Sequence, residues 1–147
     1  MAGKRLKVLL RWIQILDKLE PFYKEKGEFR FTARVSSDNG ALQETRFPEE
    51  GHYEISDHPA WNKLTMNLEI FEGEVGNSLV IELDGEEIDL LSANDQLDSY
   101  RREFTGDPNS WVGWYGPGDE AAPEHDVTSA DPENLTNWRV CYEILDA

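Results

Sequence analysis

A period of two governs this chain. Phe29, Phe31, Ala33 and Val35 alternate with Glu28, Arg30, Thr32 and Arg34. Successive side chains of an extended strand point to opposite faces, so the run describes an antiparallel strand with one apolar and one polar side. The spacing recurs at Leu6, Val8, Leu10 and Trp12, at Met66, Leu68 and Ile70, at Leu79, Ile81 and Leu83, and at Trp138, Val140, Tyr142 and Ile144. Weaker runs cover 43–47, 98–104 and 111–115. Turn signals separate them: Ser37-Asp38-Asn39-Gly40, Glu50-Gly51, Asp57-His58-Pro59, Glu72-Gly73, Gly76-Asn77 and Thr105-Gly106-Asp107-Pro108-Asn109. About eight short strands at this spacing predict an all-β fold, an antiparallel eight-stranded β-sandwich.

Two segments depart from the pattern. Residues 116–130 are rich in Gly, Pro, Ala and acids without an apolar period, which reads as a long, mobile Gly/Pro-rich loop. Asp131-Pro132-Glu133 offers a capping acceptor and a first-turn proline, so one short helix is expected before the last strand. At 147 residues the chain is read as one domain, 1–147, large enough to bury a core without disulfides or a structural metal.

Charge and cysteine content exclude several functions. With 14 Lys and Arg against 30 Asp and Glu, the formal charge of −16 repels phosphate backbones, so no nucleic-acid partner is expected. The acidity also has a plain reading, solubility or adaptation to high salt. Cys141 is the only cysteine, which rules out an internal disulfide and a cysteine-based zinc site and suits a reduced, cytoplasmic setting. Arg11 interrupts the apolar run near the start, no cleavage site follows, and nothing reaches the length of a membrane span. The acceptor pattern Asn134-Leu135-Thr136 is read as chance in a chain without an export signal.

Acids crowd one stretch. Asp84, Glu86, Glu87, Asp89, Asp95 and Asp98 follow the strand-like run Ser78–Leu83, and oxygen ligands at that density suit a hard cation such as calcium. Two geometries are open: a persisting strand that projects Asp84 and Glu86 to the same side, or a turn at Gly85 that either bends both around one centre or simply carries solvated acids. Enzyme signatures are missing. His52, His58 and His125 lie at no metal-ligand spacing, and neither a nucleophile elbow nor a phosphate-cradling glycine loop is present. Trp12, Trp61 and Trp138 lie within apolar periods and are expected in the core. Trp111, Trp114 and Tyr115, among glycines, offer either core packing or an exposed aromatic platform. Cys141, out of phase with Val140 and Tyr142, is read as a packed, inert thiol.

The order of these features resembles the C2 domain, a calcium-dependent lipid-binding β-sandwich. The resemblance runs through Leu6-Lys7-Val8-Leu9-Leu10, Asp17, Gly27 to Val35, Glu44-Thr45-Arg46-Phe47, His58-Pro59-Ala60-Trp61-Asn62 and Leu79 to Glu86. It implies three loops at one end of the sandwich, here 17–26, 51–59 and 84–98, with calcium held by Asp17, Glu28, Asp84, Glu86 and Asp95. Glu28 and Glu86 stand where the family has aspartates, and an insertion blurs the match at Asp95. Phe22 and Tyr23 on the first loop, and Leu90 and Leu91 on the third, are candidate membrane contacts, or else fold back on the core. Lys24 and Lys26 beside them would repel calcium or touch lipid phosphate. The expected function is a non-enzymatic binding module that attaches to membrane lipid with calcium, cytoplasmic and peripheral at a membrane. The alternative is a metal-free protein-interaction domain.

Overall fold

The computed structural model describes residues 4–15, 26–56, 63–88, 95–116, 133, 135 and 138–147. The described strands, in chain order, are β1 Lys4–Ile15, β2 Lys26–Ser37, β3 Leu42–Phe47, β4 Tyr53–Ser56, β5 Lys63–Val75, β6 Ser78–Glu87, β7 Asp95–Gln96, β8 Tyr100–Thr105, β9 Gly113–Tyr115 and β10 Trp138–Asp146. They form two antiparallel sheets. One has the order β5-β1-β10-β9; the other has the order β3-β2-β6-β7, with β4 also paired to β2 and β8 to β6. Each of the eight expected strands overlaps one of these. The two additions, β4 and β7, have four and two residues, too short for a period to show.

The core fills the space between the sheets because the period-two residues face inward. Leu6, Val8 and Leu10 of β1 and Val140, Tyr142 and Ile144 of β10 meet Phe29, Phe31, Ala33 and Val35 of β2 and Leu79, Ile81 and Leu83 of β6. Phe31 stands at the centre of an aromatic stack, with ring centroids 5.2 Å from Phe47 and 5.4 Å from Trp138.

One irregularity changes which face a residue serves. The β1–β10 register shifts between Leu10 and Trp12, leaving Arg11 as an extra residue, and a bulge of this kind reverses the phase of the strand beyond it. Ile13 and Ile15 therefore enter the core, fully buried. Trp12, expected on the core face with Leu10, instead lies outside the core cluster, aligned with Cys141 and Thr65. It is nonetheless buried, with the Lys63 ammonium 4.1 Å from its ring centroid. Cys141 is buried on its strand, as expected. Trp138 is core, whereas Trp61 lies outside the described residues.

The turn signal at 105–109 becomes a 3-10 turn, Pro108–Trp111, capped by the Asp107 carboxylate, which accepts from the Asn109 amide at 3.0 Å. Its last residue, Trp111, is buried beneath Phe104, so the exposed platform reduces to Trp114 alone, 63% exposed. The expected helix over 131–136 and the loop over 117–130 fall on residues outside the described set, except Glu133 and Leu135.

Candidate functional site

The outer face of the six-stranded sheet carries the polar phase of the same alternation. Register places its side chains in two rows across the strands. Arg46 of β3, Thr32 of β2 and Asp84 of β6 form one row; Arg30 of β2, Glu86 of β6 and Gln96 of β7 form the next. Together they line an open pocket of about 400 Å³.

Within the pocket the groups are unequally committed. Glu86 is ion-paired with the Arg30 guanidinium and accepts from the Gln96 amide at 2.9 Å. Asp84 accepts from the Ser99 hydroxyl through one oxygen, at 2.6 Å. The Arg46 side chain is exposed and forms no hydrogen bond or ion pair with the described residues. The pocket is therefore bipolar, with a guanidinium at the β3 end and a carboxylate at the β6 end.

Gly85 lies between the two acids for a reason the sequence conceals. The strand runs straight through to Glu87, so the turn geometry open for Asp84-Gly85 is not the one adopted. Gly85 faces the core, where a Cβ would stand 2.6 Å from the Phe31 ring and 2.8 Å from Leu97. Persisting strand geometry sends Asp84 and Glu86 to the same outward side.

The other residues implied by the resemblance are placed as follows. Glu28 sits in β2 rather than on a loop, 3.5 Å from the His52 imidazole, and its carbonyl accepts from the Ile88 amide at 2.7 Å. The backbone of Asp95 pairs with Glu87 in β7, but its side chain lies outside the described residues. Asp17, Phe22, Tyr23, Leu90 and Leu91 lie outside them too. Among the described residues, no three His, Cys, Asp or Glu side chains converge as metal ligands.

A second polar constellation, unforeseen from the sequence, is buried between β8 and β10. The Tyr100 hydroxyl donates to Glu133 at 2.6 Å, and the Arg102 guanidinium donates to the same oxygen at 2.7 Å. The Tyr142 hydroxyl lies 2.6 Å from that of Tyr100. Arg102 also covers the rings of Phe104 and Tyr115, 5.0 Å and 4.9 Å from their centroids. Burial drives the tyrosine pKa values upward, because a phenolate there would lose its hydration. With the Tyr100 hydroxyl and the Arg102 guanidinium both spent on one carboxylate oxygen, this network holds Glu133 against the sandwich.

No family model matches the sequence, and no curated protein does. Among solved structures the chain is similar to the C2A domain of a plant extended synaptotagmin 1, with a TM-score of 0.51 and 9% identity, covering 98% of this chain and 94% of that one. Identity that low speaks to architecture alone. The strand order, the two facing sheets and this likeness together make the chain a C2-like β-sandwich.

Proposed function

We propose that the protein is a non-enzymatic, C2-like binding module that attaches peripherally to membrane lipid, taking a phosphate-and-amine headgroup into the pocket across β3, β2 and β6. The observation that carries this reading is Arg46, an exposed guanidinium with no partner among the described residues, in the same cross-strand row as Asp84. A guanidinium matches phosphate in geometry and charge. Asp84, whose second oxygen accepts no hydrogen bond from the described residues, suits the amine. The formal charge of −16 opposes approach to a strongly anionic bilayer, which favours a zwitterionic headgroup. No helix of the described residues is long and apolar enough to cross a membrane, and attachment from the surface needs none.

The test is co-sedimentation with vesicles of phosphatidylcholine and phosphatidylethanolamine in the presence of chelator. Binding should occur, and Arg46→Gln should weaken it roughly ten-fold or more, since a charge-assisted hydrogen bond is worth about 1.5–3 kcal/mol. Failure of the wild-type protein to bind vesicles with or without calcium overturns the lipid reading and leaves the protein-interaction alternative.

A second reading is favoured by the shared outward side of Asp84 and Glu86: calcium gathered by these acids with Glu28, Asp17 and Asp95 turns a repulsive surface into an attractive one. Its mark is different. Vesicle binding would require calcium and be lost in Asp84→Asn/Glu86→Gln, and calcium but not magnesium would raise the melting temperature by mass action.

A further inference from the structure

The four-stranded sheet ends at β5, whose only strand partner among the described residues is β1. The last part of that edge is covered: the Glu72 amide donates to Gln43 at 3.3 Å, and the Gly76 and Asn77 amides donate to Asp38. Ahead of it, Leu64-Thr65-Met66-Asn67-Leu68-Glu69 has no such cover among the described residues. Its side chains alternate strictly between exposed and half-buried, even across the bulge that sets Met66 and Asn67 opposite Arg11.

This segment is its own complement. Paired antiparallel with a second copy about a twofold axis at Met66, Lys63 meets Glu69 of the other copy, Leu64 meets Leu68, Thr65 meets Asn67 and Met66 meets Met66. The exposed phase then forms two opposite-charge pairs flanking two polar pairs. The half-buried phase, Leu64, Met66 and Leu68, packs against the core and would complete its burial against the same residues of the partner. Directly opposed residues on antiparallel strands lie about 4.5–5.5 Å apart, close enough for each pair to interact. Glu69 is exposed and makes no ion pair with the described residues, and Lys63 presents its ammonium on the same outer face, over Trp12.

We infer that the Lys63–Glu69 edge of β5 is a homodimerisation surface, joining two four-stranded sheets into one through an isologous antiparallel pairing centred on Met66. The occupant is a second copy of this chain because charge and apolar phase both match under that one symmetry. The contact is short, so the dimer is weak and reversible. Two chains of charge −16 repel at long range, and at physiological ionic strength a Debye length of about 8 Å screens that repulsion while leaving adjacent pairs in contact.

Sedimentation equilibrium of the full chain at physiological salt, from micromolar to about 1 mM, tests the inference. The wild-type protein should show a monomer–dimer equilibrium. Lys63→Glu and Glu69→Lys should each weaken self-association by at least ten-fold, since each sets like charges opposite one another. An equimolar mixture of the two variants should restore dimerisation, because every cross-strand pair is then opposite in sign. Glu69→Lys alters an exposed side chain, and circular dichroism verifies the fold of both variants. Met66→Cys gives an independent readout, an intermolecular disulfide formed under mild oxidation and absent from Asn67→Cys. A wild-type protein monomeric throughout, a dimer indifferent to both charge reversals, or a mixture that stays monomeric would each overturn the inference.

Discussion

The hydroxyls of Tyr100 and Tyr142 lie 2.6 Å apart, with their rings edge to face. Tyr100 spends its one proton on the Glu133 carboxylate, so Tyr142 is the donor to Tyr100. The chain of bonds runs from Tyr142 through Tyr100 to Glu133, where Arg102 arrives from the other side. The Val140 amide donates to the Glu133 carbonyl at 3.0 Å, so the same residue docks by backbone and side chain alike.

Removing the acceptor should therefore be costly. Glu133→Ala leaves Tyr100 and a half-buried guanidinium without their anion, and the expected loss is about 3 kcal/mol of unfolding free energy. Tyr142→Phe deletes a single hydrogen bond and should cost about 1 kcal/mol. Urea unfolding of the two variants checks the ranking, and similar losses would show that the carboxylate is not the hub.

The buried tyrosines also set an alkaline limit. Burial foremost raises the pKa of both above the usual value of about 10, so the fold retains protons that the unfolded chain releases. That stability is fully present below pH ~10 and falls as pH rises beyond it. Spectrophotometric titration should find two tyrosines that ionise only as the protein unfolds, and Tyr100→Phe should remove one of them.

Asp38 sets a limit at the acid end. Its carboxylate accepts from the amides of Asn77 and Gly76, at 2.8 Å and 3.0 Å, tying the β2–β3 turn to the β5–β6 turn. These backbone hydrogen bonds, that from Asn77 first, lower its pKa. The resulting stability is present above the unfolded value of about 4 and is lost as pH falls through the lower folded value. Asp38→Asn should be less stable than wild type at neutral pH, with the difference closing in acid. Melting curves across pH 2 to 7 would reveal a constant offset if the carboxylate charge were irrelevant.

Gly85 should not tolerate a methyl group. A Cβ at 2.6 Å from the Phe31 ring forces the ring or the strand to move, and overpacking of this kind costs about 1–3 kcal/mol. Phe31→Leu creates space at the same point, so Gly85→Ala should cost less in that background than in wild type. A double-mutant cycle measures the coupling, and simple additivity would show that the contact is relieved elsewhere.

How much of this was legible follows the physics of each feature. The alternation in β1, β2, β6 and β10 is local, since every second side chain shares a face whatever the strand pairs with, and it identified the core of Phe29, Phe31, Leu79, Ile81, Val140 and Tyr142. At Gly85 a turn and a persisting strand were both open, because glycine accepts positive φ; what the position needs is space for a ring that lies far away in sequence. The pocket was half legible. The polar phase of β2 was visible as Arg30, Thr32 and Arg34, but only register aligns Thr32 with Arg46 and Asp84.

The sequence by itself determined that the chain is built of alternating strands in two facing sheets with a strongly acidic surface, because a side chain's polarity and its parity along a strand are local properties. Tertiary structure alone decided that Arg11 bulges and turns Trp12 out of the core, that Glu133 is drawn beneath Tyr100 and Arg102, and that Arg46 faces Asp84 across β2. Each of these depends on which strands lie side by side and in what register, and that is settled by the packing of the whole core at once.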